Sequence, residues 1–109
     1  MAFDEGLAQR LREVFSTRGH VEEKRMFGGL AFMHRGHMTC GVREDDLMVR
    51  VGPEAYEESL TRPGARVMDF TGRPMKGFVW VEGDSVGEDE ALAEWVDRSL
   101  AFVLTLPPK

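Results

Sequence analysis

The sequence predicts an α+β domain of two layers, with an antiparallel sheet of about five strands under three helices, in the order α-β-β-β-α-β-β-α. Three observations lead there. Apolar side chains recur at helical spacing near both ends of the chain, as Phe3, Leu7, Leu11, Val14 and Phe15 and again as Leu92, Trp95, Val96, Ser99, Leu100 and Val103 with one serine in the stripe. The middle is apolar but cut by the polar turn residues Arg35-Gly36 and Glu44-Asp45-Asp46, as a meander of hairpins requires. Gly52-Pro53 and Arg62-Pro63-Gly64 then bracket one more helical segment.

The first helix is expected over Asp4–Arg18, with Asp4 as N-cap or first-turn acid and Gly19 as the stop. Met26–His34 and His37–Arg43 make a hairpin about a two-residue turn at Arg35-Gly36. That register sets Met33 opposite Met38 and Ala31 opposite Cys40 on one face, and Phe32 opposite Thr39 and His34 opposite His37 on the other. Leu47–Val51 is the third strand. Pro53 opens the second helix, Glu54, Glu57 and Glu58 sit near its positive end, and Tyr56 and Leu60 share a face. Arg66–Phe70 reads as a short extended segment and Thr71–Pro74 as a loop. Met75–Val81 is a strand whose run Phe78, Val79, Trp80, Val81 suggests burial on both faces. Glu82–Gly87 reads as an exposed loop, and the last helix starts at Glu88 or Asp89 and is stopped by Pro107-Pro108.

A chain of 109 residues fits one domain, residues 1–109, and is long enough to bury a core without staples. Hydrophobic residues at 42% and charged residues at 30% exclude a disordered chain. The single Cys40 cannot form an internal disulfide, which suits a reducing cytoplasm, the expected location. Asp4 and Glu5 break any leader-like pattern, and no apolar run approaches the ~20 residues of a membrane span. The net charge of −5 disfavours a nucleic-acid partner, because phosphate contacts call for a basic field. A local patch stays open, since Arg62, Arg66, Arg73 and Lys76 gather against the single acid Asp69.

The segments RMFGGLAF (Arg25–Phe32), DDLMVRV (Asp45–Val51) and PGARVMDFTGRPMKGFVWV (Pro63–Val81), with the closing helix, resemble the N-terminal domain of the TfoX family. The resemblance runs over about Phe3–Leu106, with the motifs in order. It implies a fold of the YgaC/TfoX-N-like type, similar in shape to secretion-chaperone-like domains, in a bacterial family that includes regulators of competence genes. Longer members carry a second, C-terminal domain of helix-hairpin-helix-like character. This chain, ending at Lys109, is expected to be the N-terminal domain alone. The resemblance brings no catalytic residue to these positions.

Four groups of residues invite chemistry. His34, His37 and Cys40 are zinc-ligand types at close spacing, but the expected register turns Cys40 away from the two histidines, leaving a buried inert thiol and a solvent-exposed His pair. The same geometry denies Cys40 a base, and His20 beside Glu22 and Glu23 reads as a solvated turn. Gly28-Gly29 matches no phosphate-binding loop, and glycines in a strand more often mark a close backbone approach. Gly72, Pro74 and Gly77 punctuate a turn that carries Arg73 and Lys76. With Arg25 and Arg50 these cations are the candidate contacts for an anion or an acidic partner, against the plainer reading that each is paired locally with Asp69 or a glutamate. Asp45 and Asp46 have no second group fixed beside them for acid–base work, and the strand methionines read as core filling.

No catalytic constellation, cofactor or metal site is expected. The leading expectation is a regulatory module that binds an unidentified protein partner through a sheet face or edge strand. The alternatives are a nucleic-acid-binding regulator using the Arg/Lys patch, and a small anion- or ligand-binding domain or enzyme built on the Gly72–Gly77 loop. Edge strands that need cover also leave a homodimer open.

Overall fold

Helix α1 (Glu5–Phe15) begins where Asp4 holds extended backbone and its carboxylate accepts from the amides of Gly6 and Leu7. It stops at Phe15, short of Arg18, because the chain tightens: the Thr17 amide donates to Val14 and the Arg18 amide to Phe15. The computed structural model describes residues 3–26, 28–69 and 74–107. Gly72, Arg73 and most of the loop expected around them lie outside the described residues.

Six strands follow: β1 (Glu22–Met26), β2 (Gly29–His34), β3 (His37–Arg43), β4 (Asp46–Arg50), β5 (Ala65–Asp69) and β6 (Pro74–Val81). They form one antiparallel sheet in the order β1-β2-β3-β4-β6-β5. Helix α2 (Tyr56–Leu60) lies between β4 and β5, and α3 (Asp89–Val103) closes the chain. The α+β expectation holds, with β1 added as a sixth strand. The Glu-Glu-Lys-Arg run of β1 is exposed throughout, so it lacks the apolar alternation by which a strand is read from sequence. A turn at Gly28 separates it from β2, so the segment expected as one strand from Met26 is two.

The main core lies on the helix-facing side of the sheet, while Ala31 and Met48 are buried on the other side. Leu30, Phe32, Cys40, Val42, Leu47, Val49, Val79 and Val81 share a core with Leu7, Leu11 and Phe15 of α1, Tyr56 of α2 and Leu92, Trp95, Val96 and Leu100 of α3. Phe15 stacks on Phe32 with ring centroids 5.5 Å apart. In β6, Val79 and Val81 are buried while Phe78 and Trp80 are half-buried, so the expected burial on both faces is confined to the helix side. Gly83–Val86 is a 3-10 turn rather than an open loop, because Val86 joins the core and the Arg10 guanidinium donates to the carbonyls of Val86 and Gly87. Pro53 does not open α2. Gly52 turns the chain at φ +85° and residues 53–55 form a turn ahead of Tyr56.

The β2–β3 register departs from expectation at one residue. Arg35 (φ 55°) and Gly36 (φ 84°) make the two-residue turn, and His34–His37 and Met33–Met38 pair as expected. Beyond them Phe32 pairs with Cys40 and Ala31 with Gly41, instead of Thr39 and Cys40. A β-bulge takes Thr39 out of the count. The buried Thr39 hydroxyl donates to the Phe32 carbonyl at 2.7 Å, and the Thr39 carbonyl accepts from the Ser99 hydroxyl of α3 at 2.9 Å. The bulge turns Cys40 toward α3. His37 reaches the same layer, where its Nε2 donates to the Pro107 carbonyl at 2.7 Å, and it is only 8% exposed. The expected solvent-exposed His pair is therefore divided into a half-buried His34 and a buried His37, and His37 and Cys40 both meet the α3 side.

Gly29 marks the close approach expected of a strand glycine, since a Cβ there would overlap the Val42 carbonyl oxygen on β3. Gly28 holds φ +75°, and a Cβ there would make only an ordinary contact with the Arg43 side chain at 3.9 Å. Gly29→Ala should therefore cost about 3 kcal/mol by forcing β2 and β3 apart. Gly28→Ala should cost only about 1 kcal/mol of backbone strain. Urea unfolding of both variants checks the ranking.

Candidate functional site

An apolar concavity lies where the turn after β4 meets the last turns of α3. Val51, Pro53, Glu54, Ala55, Arg98, Ala101, Phe102 and Thr105 line a groove of about 360 Å³. Its construction starts at Gly52. A Cβ at this position would overlap the Phe102 ring, so glycine lets the ring lie directly on the backbone. Phe102 points off the core stripe of α3 and stays half-buried. Ala101 beside it is exposed, and Leu104 on the same helix end is 53% exposed. The groove and its rim thus form an apolar surface on an otherwise charged protein, of the size and lining that binding sites show.

A guanidinium stands beside the groove, over its Phe102 ring. Arg50 ends β4 with its Cζ 5.6 Å from the Phe78 ring centroid and 5.3 Å from that of Phe102. Two aromatic faces hold it by cation–π attraction. It has no hydrogen-bond or ion-pair partner among the described residues, so its N–H edge is available to an incoming acceptor. Lys76 is exposed on β6 and has no ion-pair partner among the described residues; it stands two residues before the Phe78 that pairs with Arg50, roughly 7 Å along the strand. Gly77 bends the strand beside it, and its carbonyl accepts from the amides of both Val51 and Gly52. Pro74 is the first residue of β6.

The structure does not gather all the candidate cations. Arg25 is on β1, three strands from Arg50, which is about 14 Å of sheet width. It lies over Phe3, 5.7 Å from the ring centroid. Arg73 and Gly72 are outside the described residues. Arg50 and Lys76 therefore form the shared part of the expected patch, and Arg25 is separate. Sequence reasoning did not single out Phe102, Ala101, Leu104 or Gly52 as a site. The available signal was that Phe102 and Leu104 are large apolar residues lying off the helical stripe that accounts for the core.

Arg98 fixes the other end of the groove. Its guanidinium donates to the Glu58 carboxylate at 2.6 and 3.3 Å, lies over Trp95, and keeps its buried Nε 3.7 Å from Glu94. Arg62 also pairs with Glu58 at 3.0 Å. The hydrogen bonds from Arg98 hold the Glu58 carboxyl below its ordinary range. Cys40 has the opposite character. Burial pushes its thiol up to about 12, against a smaller pull from its hydrogen bond with Ser99, so at neutral pH it is an unreactive thiol. Among the described residues no group of three or more His, Cys, Asp or Glu is placed to hold a metal ion.

The model of the TfoX N-terminal domain matches residues 13–103 of this chain. That span takes in Arg50, Phe102 and every strand of the sheet. No curated protein and no solved structure matches it.

Two titrations check this electrostatic picture. The stabilising Glu58–Arg98 contact is present above the ordinary glutamate pKa of 4.5 and is lost as pH falls through the lower folded value. In carboxyl-detected NMR, Glu58 should titrate below the ordinary glutamate value of 4.5, and Arg98→Leu should return it toward 4.5. The Cys40 thiol should resist a disulfide reagent at pH 8 in the folded protein and react at once in denaturant.

Proposed function

We propose that this chain, which belongs to the TfoX N-terminal domain family, is a non-enzymatic regulatory module that works by binding a protein partner in the groove between the β4–α2 turn and the end of α3. The observation that carries this reading is the juxtaposition of Phe102 and Arg50. An apolar groove floor meets a guanidinium that is pre-oriented by two rings and has no other partner among the described residues. Such a site recognises an apolar side chain next to a carboxylate, because the groove buries the first and the N–H edge of Arg50 donates to the second. Lys76 extends the positive rim without requiring a fixed geometry. The net charge of −5 counts against a polyanionic partner such as nucleic acid, and the resemblance to competence regulators supports a regulatory role.

Affinity isolation from native lysate of the source cell, with quantitative mass spectrometry, tests the proposal. Wild type should retain a specific protein that is lost, by about tenfold or more, from both Ala101→Arg and Arg50→Ala. Both substitutions lie at exposed or half-buried positions, so folding should be retained and circular dichroism should be unchanged. Retention that ignores both variants would contradict the groove. A salt-sensitive nucleic-acid complex that weakens with Arg50→Ala and Lys76→Glu would instead favour the transcription-regulator reading. A small molecule that protects the groove from exchange would favour a ligand-binding domain.

A further inference from the structure

The strand at the rim of the sheet carries a pattern the groove does not use. All five residues of β1 are exposed, and β1 pairs only with β2, so one edge of its backbone has no neighbour among the described residues. Charges on an edge strand ordinarily block edge-to-edge pairing. The signs of these charges do the opposite for one particular visitor.

Glu23 lies in the row of Phe32 and Cys40, on the helix side of the sheet, and its carboxylate is held by Arg12 at 2.6 and 2.9 Å. Arg25 on that side lies over Phe3. Glu22 and Lys24 alternate to the open side, in line with Met33 and Ala31. Neither has a hydrogen-bond or ion-pair partner among the described residues. The two charges on the open side of this edge are thus opposite in sign and stand two residues apart.

We infer that β1 is a homodimer edge, pairing antiparallel with β1 of a second copy about a twofold axis at Glu23. A twofold axis normal to the sheet keeps the two faces of both copies continuous, so only registers centred on a residue are allowed. Centring on Lys24 sets two unpaired ammonium groups against each other, and the opposite-charge contact it offers, Arg25 to Glu23, uses a carboxylate already held by Arg12 and a guanidinium already over Phe3. Centring on Glu23 sets Glu22 of each copy directly opposite Lys24 of the other, giving two ion pairs from four otherwise unpaired groups. The two Glu23 carboxylates that meet on the axis already carry their own Arg12 guanidiniums. The result is a continuous twelve-stranded sheet with its helices on one side, made of two copies of the six-stranded sheet. This inference stands on the strand edge and does not rest on the groove.

Charge exchange tests the register. Wild type should show concentration-dependent dimer in sedimentation velocity and native mass spectrometry between about 1 μM and 1 mM, spanning the affinities a narrow edge contact can supply. Glu22→Lys and Lys24→Glu place like charges opposite in either homodimer, so each alone should weaken dimerisation by about tenfold or more. An equimolar mixture of the two variants restores both opposite-charge pairs and should form heterodimer at wild-type affinity, as should the doubly exchanged homodimer. Glu23→Cys on the axis places two Cα atoms about 5 Å apart, within disulfide reach, and should cross-link to itself on oxidation. A wild-type monomer at every concentration, or a dimer indifferent to the single reversals, overturns the inference. Failure of the mixture to recover overturns the register.

Discussion

The structure turns on a short relay of buried hydrogen bonds from α3 into the sheet. Ser99 donates to the Thr39 carbonyl, and Thr39 donates onward to the Phe32 carbonyl on the next strand. A bulge alone would leave a backbone carbonyl unpaired inside the core, which costs roughly 1–3 kcal/mol. The serine hydroxyl supplies the missing partner, so the bulge and the docking of the helix satisfy each other. The placement of the surrounding side chains depends on this relay. Cys40 is turned under the helix, His37 reaches the chain beyond α3, and α3 is set so that Phe102 lands on Gly52 and Arg98 lands on Glu58.

Magnitudes separate what holds the fold from what shapes its surface. Each fully buried aliphatic or aromatic side chain contributes about 1.5–3 kcal/mol, and the core draws such residues from all three helices and both strands of the β2–β3 hairpin. The ion pairs Arg10–Asp89, Arg12–Glu23, Arg18–Asp97 and Arg66–Asp46 are solvent-facing, and such pairs contribute about 0–1 kcal/mol each. Their value is positional. Arg18–Asp97 sets the turn after α1 beside α3, and Glu58 ties the five-residue α2, too short to stand alone, to α3 through Arg98.

Much of the fold is legible in the sequence because one physical signal dominates each element. The stripes of α1 and α3, the two-residue turn at Arg35-Gly36 and the Gly29 close approach all stem from periodicity or from backbone conformations that few residues adopt. β1 is not legible because an exposed charged edge strand buries nothing, and its structure comes from pairing with β2. The bulge is not legible because it depends on Ser99, sixty residues away from Thr39, which no local pattern reports. Phe78–Val81 reads as doubly buried because an apolar run cannot show which face a helix will cover. Of the candidate site, Arg50 and Lys76 are visible as cations, but the groove beside them needs Phe102 and the turn at Gly52 to be brought together from distant parts of the chain.

The functional account places recognition on an apolar groove with one ordered guanidinium, and gives the buried thiol and histidine structural duties only. Site-specific photo-crosslinking in living cells tests this most directly, with a photoreactive residue at Ala101 in the groove, at Lys76 on its rim and at Glu13 on the exposed side of α1. The account predicts one discrete protein adduct from position 101, a weaker yield of the same adduct from position 76, and none from position 13. Equal adducts from all three positions, or adducts from position 13 alone, would contradict it.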